Sequence, residues 1–190
     1  MKKRKRYEKV FWRLFKNIKT SRSKKLEIML SELGKRFFKA PASTKYHNSF
    51  RGGLLIHSVS TTEILLKLLE AVREEISVRE LESYTLVGLF HDLGKIGSKN
   101  KNLYLEAETW QKNKGQNYVW NTDLSNLSHP VRSLYLLSQY YIPLTEDEYH
   151  SIMYHQGAYT SSGKDIRFHF SEMCLLLHFA DVYSAFTGEK

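Results

Sequence analysis

The stretch Leu86-Val-Gly-Leu-Phe-His-Asp-Leu-Gly-Lys95 constrains this chain more than any other. A run of large apolar residues buries itself, and here it leads straight into His91 and Asp92. A buried imidazole beside a buried carboxylate is costly unless both are engaged. A divalent metal engages both, because iron, manganese, cobalt, nickel and zinc accept neutral imidazole nitrogen and carboxylate oxygen as ligands. The plainer alternative is a helix end with an ordinary His-Asp pair at its solvent edge. What the other segments bring to the same place decides between them.

Helical spacing dominates those segments. Val10, Phe11, Leu14, Phe15 and Ile18 recur as one apolar face among lysines and arginines, which predicts a basic amphipathic helix packed on the domain or on another subunit. Residues 2–6 (Lys-Lys-Arg-Lys-Arg) are too charged to pack and are expected to be disordered. Ser23 is the expected N-cap of a helix running to about Phe38, with Leu26, Met29, Leu30 and Leu33 inward. Pro41 ends it, and a polar loop over 40–51 carries Lys45, His47 and Arg51. Gly52-Gly53 opens a helix to Val72 that holds His57 among large apolar residues, where a hydrogen-bonded core histidine is the ordinary reading.

Ser77 caps the helix that ends in His91-Asp92. Residues 95–126 are irregular and rich in Lys, Asn and Gly, with Tyr118-Val119-Trp120 as a short strand; such a segment suits the rim or lid of a pocket. Ser128-His129-Pro130 opens another helix, with proline at a favourable early position. Thr145 starts the helix that reaches His155. A Ser/Gly loop is expected over 157–167, followed by an apolar helix from about 168 to 186 that Asp181 interrupts. A carboxylate in so apolar a helix needs a charge partner or a metal, or it must be protonated. His57, His91-Asp92, His129, His155 and Asp181 thus fall on, or at the ends of, different predicted helices. Helical bundles build metal sites by such convergence.

The ordered set His…His-Asp…His…His…Asp resembles the HD-domain superfamily of metal-dependent phosphohydrolases. The likeness covers roughly residues 40–186 and rests on Gly-Gly-Leu-Leu-Ile-His57, His91-Asp92-Leu-Gly-Lys95 and His178-Phe-Ala-Asp181. It implies an all-α HD-domain helical bundle with the metal site in its core, formed by residues 40–190, with 1–39 a basic arm and helices within one compact unit. His57, His91, Asp92 and Asp181 match the four superfamily ligands. His129 and His155 are similar to the two further histidines of the subgroup that holds two metals, although Tyr154-His155-Gln156 stands where relatives often have a His-His pair. The resemblance implies one or two divalent ions, drawn from manganese, iron, cobalt, nickel, zinc or magnesium. It also implies cleavage of phosphoester or phosphoanhydride bonds by metal-activated hydroxide. Asp92 and Asp181 would offset the metals' charge, and Lys95, in the His-Asp-x-Gly-Lys form, would meet substrate phosphate. Arg132, close after His129, is a second phosphate-binding candidate.

Charge separates the partner classes. Residues 1–39 hold 15 Lys/Arg against 3 acids, while residues 40–190 hold 14 against 17, so the net +9 comes from a basic beginning on a mildly acidic body. That arm is a candidate nucleic-acid contact through counterion release, or a solubilising tail. A nucleotide or short nucleic acid is the expected substrate and a homo-oligomer is compatible with the pattern. No apolar run approaches the ~20 residues that cross a bilayer. A single cysteine, Cys174, and the lack of a signal-peptide pattern point to the cytoplasm. Besides a nucleotide phosphohydrolase, three readings remain open: a 3′→5′ exonuclease, favoured by Ala40-Pro-Ala-Ser-Thr-Lys-Tyr-His-Asn-Ser-Phe-Arg-Gly-Gly, a cyclic nucleotide or dinucleotide phosphodiesterase, and a degenerate HD module that only binds. The Gly-Tyr-Pro signature of the cyclic-di-GMP hydrolases is absent.

Overall fold

The apolar faces read from the sequence close on one another in a helical assembly. The computed structural model describes residues 2–157, 160, 164 and 169–188. Its α-helices are α1 (Lys2–Phe15), α2 (Arg22–Phe37), α3 (Gly53–Val72), α4 (Val78–Phe90), the single turn α5 (Thr109–Lys112), α6 (His129–Gln139), α7 (Glu146–Tyr154) and α8 (Glu172–Gly188). A 3-10 turn, Leu93–Ile96, follows α4. Among the described residues the strands are β1 (Tyr104–Glu106) and β2 (Tyr118–Trp120), antiparallel, with Tyr104 opposite Trp120 and Glu106 opposite Tyr118. The fold is therefore mostly helical, and the Tyr118–Trp120 strand forms as its β-rich composition predicts. No helix among the described residues is long and apolar enough to cross a membrane.

α3 is central. It packs against α8, α4 and α1, and its Leu54, Leu55, Val59, Leu65 and Leu69 are fully buried. Gly52, at φ 90°, supplies the left-handed backbone from which α3 starts. Phe11 of α1 lies fully buried with its ring centroid 5.6 Å from Phe37 of α2 and 6.1 Å from Phe90 of α4, which ties three helices into one aromatic cluster. That docking also explains a departure from expectation. Residues 2–6 are helical rather than disordered, because a helix anchored by Tyr7, Phe11 and Phe15 extends backward at little extra cost, and the stem of Arg4 lies against Gly52.

The start of α2 also differs from the prediction. Its N-cap is Ser21, not Ser23, because Arg22 is drawn inward. The Arg22 Nη1 donates to both oxygens of Glu148 at 2.7 and 2.8 Å, while its Nε donates to Glu82 at 2.8 Å. Glu82 further accepts from the amides of Lys19 and Thr20 and from the Thr20 hydroxyl. Glu148 completes the capping box of α7 by accepting from the Thr145 amide at 2.8 Å. Ser77 and Glu80 form the same box at the start of α4, as its sequence predicts. The last helix begins at Glu172, later than expected, and the predicted Ser/Gly loop lies largely outside the described residues.

The Arg22 cluster generates a stability prediction. Burial by itself would raise the Glu82 carboxyl, but hydrogen bonds from Thr20 and Arg22 outweigh it and hold Glu82 below its usual value. A carboxyl held low contributes stability that is present above its unfolded pKa of about 4.3 and is lost as pH falls through the folded value. Arg22→Met leaves two buried carboxylates without their cation and should cost about 3–5 kcal/mol in urea denaturation at pH 7. The gap from wild type should narrow as the pH falls toward and below about 4.3, because a buried carboxyl without its cation takes up its proton at higher pH than an unfolded one, while the wild type loses the Glu82 contribution. A gap that stays constant from neutral to acid would reject this account.

Candidate metal centre

α4 delivers His91 and Asp92 at its carboxyl end, where the chain turns into the 3-10 segment. The turn is possible because Gly94 lies hard against α6: a Cβ there would run into the His129 carbonyl and come within 2.9 Å of the Arg132 Cβ. α4 ends at Phe90, before Gly94, so the glycine's role is close approach. Ser133 clamps the junction. Its hydroxyl accepts from the Gly94 amide at 2.7 Å and lies 2.7 Å from the His91 carbonyl and 2.9 Å from the His129 carbonyl.

The predicted residues converge around Asp92. Its Oδ2 lies 3.3 Å from His57 Nε2 and 3.5 Å from His91 Nε2, while its Oδ1 lies 3.3 Å from His129 Nε2 and 3.6 Å from His155 Nε2. Asp181 of α8 closes the first group, its Oδ1 2.8 Å from His57 Nε2 and 3.6 Å from His91 Nε2. Two sets of metal-compatible atoms result, one of His57, His91, Asp92 and Asp181 and one of Asp92, His129 and His155. In each set the atoms lie within 4.8 Å of one another. Asp92 belongs to both.

The imidazoles are held so that Nε2 faces inward. His91 Nδ1 donates to the Gly88 carbonyl at 2.9 Å and His155 Nδ1 to the Ile152 carbonyl at 2.8 Å. A carbonyl can only accept, so a proton sits on Nδ1, and each ring in its neutral form presents an Nε2 lone pair to the centre. His57 Nδ1 lies 3.3 Å from the Ser184 hydroxyl. His57 Nε2, His91 Nε2 and both Asp92 oxygens are buried without a hydrogen bond of acceptable geometry. Buried polar atoms of this kind are normally paired. Imidazole nitrogens and carboxylate oxygens that converge on common points, with the Lys95 ammonium against one of those oxygens, are a ligand set that suits divalent cations.

The electrostatics express the same demand for positive charge. For Asp92, burial opposes ionisation, but Lys95 and His91 outweigh it and hold the carboxyl well below its usual range. Asp181 is likewise held well below, with His57 and His91 overcoming burial. Burial would lower His91, yet the two carboxylates pull it up to about 10. A proton on His91 and a bound cation are two ways of meeting one need. His129 is pushed down to about 3, burial outweighing the pull of Asp92.

Lys95 turns inward, and its partner is Asp92: Nζ lies 2.6 Å from Oδ2. Burial would lower the ammonium, and Asp92 outweighs it so that the value is raised. Arg132 is buried beside Gly94, and its Nη2 donates to the Ser125 carbonyl at 2.6 Å, while its Nε is buried without a partner. Its polar contact is thus to a loop carbonyl and not to any of the six converging residues. His150 lies 3.3 Å from the Ser171 hydroxyl, and His178 Nδ1 donates to the His155 carbonyl from behind the centre.

His47 was read only as part of a polar loop. Its ring centroid lies 4.9 Å from that of His57, its Nε2 is buried and unpaired, and burial together with His57 and Lys95 pushes it down to about 4. The His47-Asn-Ser segment before Gly52-Gly53 held no periodic signal to reveal this. Ser133 and Ser184 were findable in principle, since they follow His129 and Asp181 by about one helical turn.

No family model matches the chain, and no solved structure matches it. Over 57 residues it is 39% identical to a dihydroneopterin 2′,3′-cyclic phosphate phosphodiesterase of Methanocaldococcus jannaschii. That stretch covers 30% of this chain and 23% of the archaeal protein. A relative named as a phosphodiesterase and a buried His/Asp cluster that fits metal are therefore found in the same chain.

Proposed function

We propose that the chain is an HD-superfamily phosphohydrolase that opens or cleaves a phosphodiester of a small, nucleotide-like substrate, with a 2′,3′-cyclic phosphate as the favoured bond. One observation carries the reading: the two oxygens of Asp92 face two separate pairs of inward-turned histidine nitrogens. His57, His91, Asp92 and Asp181 would hold one divalent ion, and Asp92, His129 and His155 a second. Such ions, when bound, supply Lewis-acid polarisation of phosphate oxygens and a nucleophile at neutral pH. The name of the archaeal relative favours the cyclic phosphodiester over the exonuclease and binding-module alternatives.

The chain's own groups then have defined tasks. In hydrolysis a water oxygen forms a bond to phosphorus as the bond to the leaving sugar oxygen breaks, and the proton lost by water ends on that oxygen. Asp92 and Asp181 hold the negative charge that retains cations around the reacting phosphate. Lys95 has no lone pair when protonated and is no metal ligand. Its ammonium fixes Asp92 and has further protons to donate to non-bridging phosphate oxygens. Arg132, a buried guanidinium with an unpaired Nε, is the second candidate for phosphate.

Three measurements test this. Metal analysis after manganese reconstitution should approach two ions per chain, and His155→Ala should lower the count toward one; a wild-type value that never exceeds one rejects the binuclear arrangement. Asp92→Ala should abolish hydrolysis with the helical circular dichroism retained, and wild-type turnover in that variant would end the assignment. Lys95→Ala should not reduce metal content but should lower kcat/KM roughly ten- to a hundredfold, since a charge-assisted hydrogen bond contributes about 1.5–3 kcal/mol. Unchanged kinetics would remove Lys95 from the site.

A further inference from the structure

Lys95 has a second face. Besides reaching Asp92, it lines a cavity of about 320 Å³ whose other walls include Lys35, Lys39, Arg51, Tyr104 and Tyr118. Lys95 is the residue that the cavity and the His/Asp centre share, since its Nζ lies 2.6 Å from Asp92, and Tyr104, 8% exposed, stands in the same wall. Tyr104, Glu106 and Tyr118 stand on one face of the hairpin, because paired strand residues point the same way and alternate residues share a side. Lys35 and Lys39 lie four residues apart at the end of α2, and Arg51 comes from the loop before α3.

Charge sets the ligand class. Among the described residues, Lys35, Lys39 and Arg51 have no carboxylate within 4 Å. The one acid in the wall, Glu106, is turned to Lys112 at 3.3 Å. Arg36 also borders the cavity, but its guanidinium is used up on Ile96, Ser98, Lys99, Lys101 and Asn102, which fixes the loop that carries the wall. Three cations without partners therefore remain, facing two tyrosines, in a space at the small end of ligand pockets (about 300–1,000 Å³). That volume takes one nucleotide-sized molecule and not a strand. Phosphate is the anion that several converging Lys and Arg groups bind best.

We propose that this cavity is a subsite for a second phosphate, so that the substrate carries a phosphate besides the one that is cleaved. The assignment rests on the phosphodiesterase reading for the cleaved bond, but the binding claim stands on the cavity alone. The ring of the substrate lies along Tyr104 and Tyr118, one phosphate sits at the centre beside Lys95, and the other meets Lys35, Lys39 and Arg51.

The test compares adenosine 2′,3′-cyclic phosphate with its 5′-phosphorylated counterpart on manganese-loaded protein. Wild type should prefer the 5′-phosphorylated compound by about tenfold or more in kcat/KM, mainly through KM. Lys39→Ala and Arg51→Ala should each bring that ratio toward one, and raising salt should do the same. Equal kcat/KM for the two compounds in wild type, or a ratio that neither variant changes, overturns the subsite while leaving the phosphodiesterase standing. Titration calorimetry of metal-free protein with adenosine 5′-phosphate and adenosine gives the second readout. Adenosine 5′-phosphate should bind more tightly than adenosine, and Lys39→Ala with Arg51→Ala should erase the difference. If no compound is hydrolysed, the proposed reaction fails and this binding difference decides the subsite: its presence and loss in the double variant support it, and its absence rejects it.

Discussion

Asp92 is the constraint on which the rest of the structure depends. Its side chain is 1% exposed, and both oxygens lie among imidazole nitrogens and one ammonium. An isolated carboxylate so placed would cost several kcal/mol and would escape by taking a proton. Here it is held ionised by its neighbours. Every helix that contributes a neighbour must therefore arrive at the right height and rotation. α3 brings His57, α6 brings His129, the end of α7 brings His155 and α8 brings Asp181. Loss of any one exposes the carboxylate's demand for charge to fewer partners, so the centre specifies the arrangement of helices as much as the helices specify the centre.

The local devices around Asp92 follow from that demand. A carboxylate at a helix's carboxyl end faces the negative pole of the helix dipole, which is unfavourable. The chain answers by leaving the helix at Phe90 and placing Lys95, three residues on, against Asp92 Oδ2. The 3-10 turn that permits this is pressed on α6 through Gly94 and pinned by the Ser133 hydroxyl, which touches the backbone of both His91 and His129. One serine thus relates a histidine of the first group to a histidine of the second. Small changes in this contact would shift both groups together.

How much of this was legible in the sequence depended on what each residue's signal was. His91, Asp92 and Asp181 stood out because a polar group in an apolar run is a local anomaly, visible without tertiary information. His57, His129 and His155 became legible only as members of an ordered set, since each alone reads as an ordinary helix-end or core histidine. The helices and their Ser77 and Thr145 caps followed from periodicity and side-chain chemistry. What stayed hidden was decided by contacts between distant segments. The place of His47 beside His57 and the inward turn of Arg22 toward Glu82 and Glu148 each require knowing which helices touch. Residues 2–6 misled for the same reason, because their charge argued for disorder while burial of Phe11 several residues later held the helix.

The Arg22 cluster and the candidate metal centre are linked through the helices they share. Glu82 and His91 both belong to the α4 segment, the first well inside it and the second as its C-cap. In α7, Glu148 lies in the first turn and His155 is the C-cap, seven residues and about two turns apart, hence on one face. Arg22 binds Glu82 and Glu148 at once, so it fixes the position of α4 along α7 at one end of the pair. At the other end the same two helices present His91 and His155, whose rings lie 4.9 Å apart by centroid. A shift of either helix by one residue would move its side chain by about 1.5 Å along the axis and turn it away from the centre. A buried guanidinium between two carboxylates tolerates no such slip, because either carboxylate would be left unpaired. The ion cluster therefore holds the helix register that the metal-compatible histidines require, and does so with residues that take no part in the chemistry.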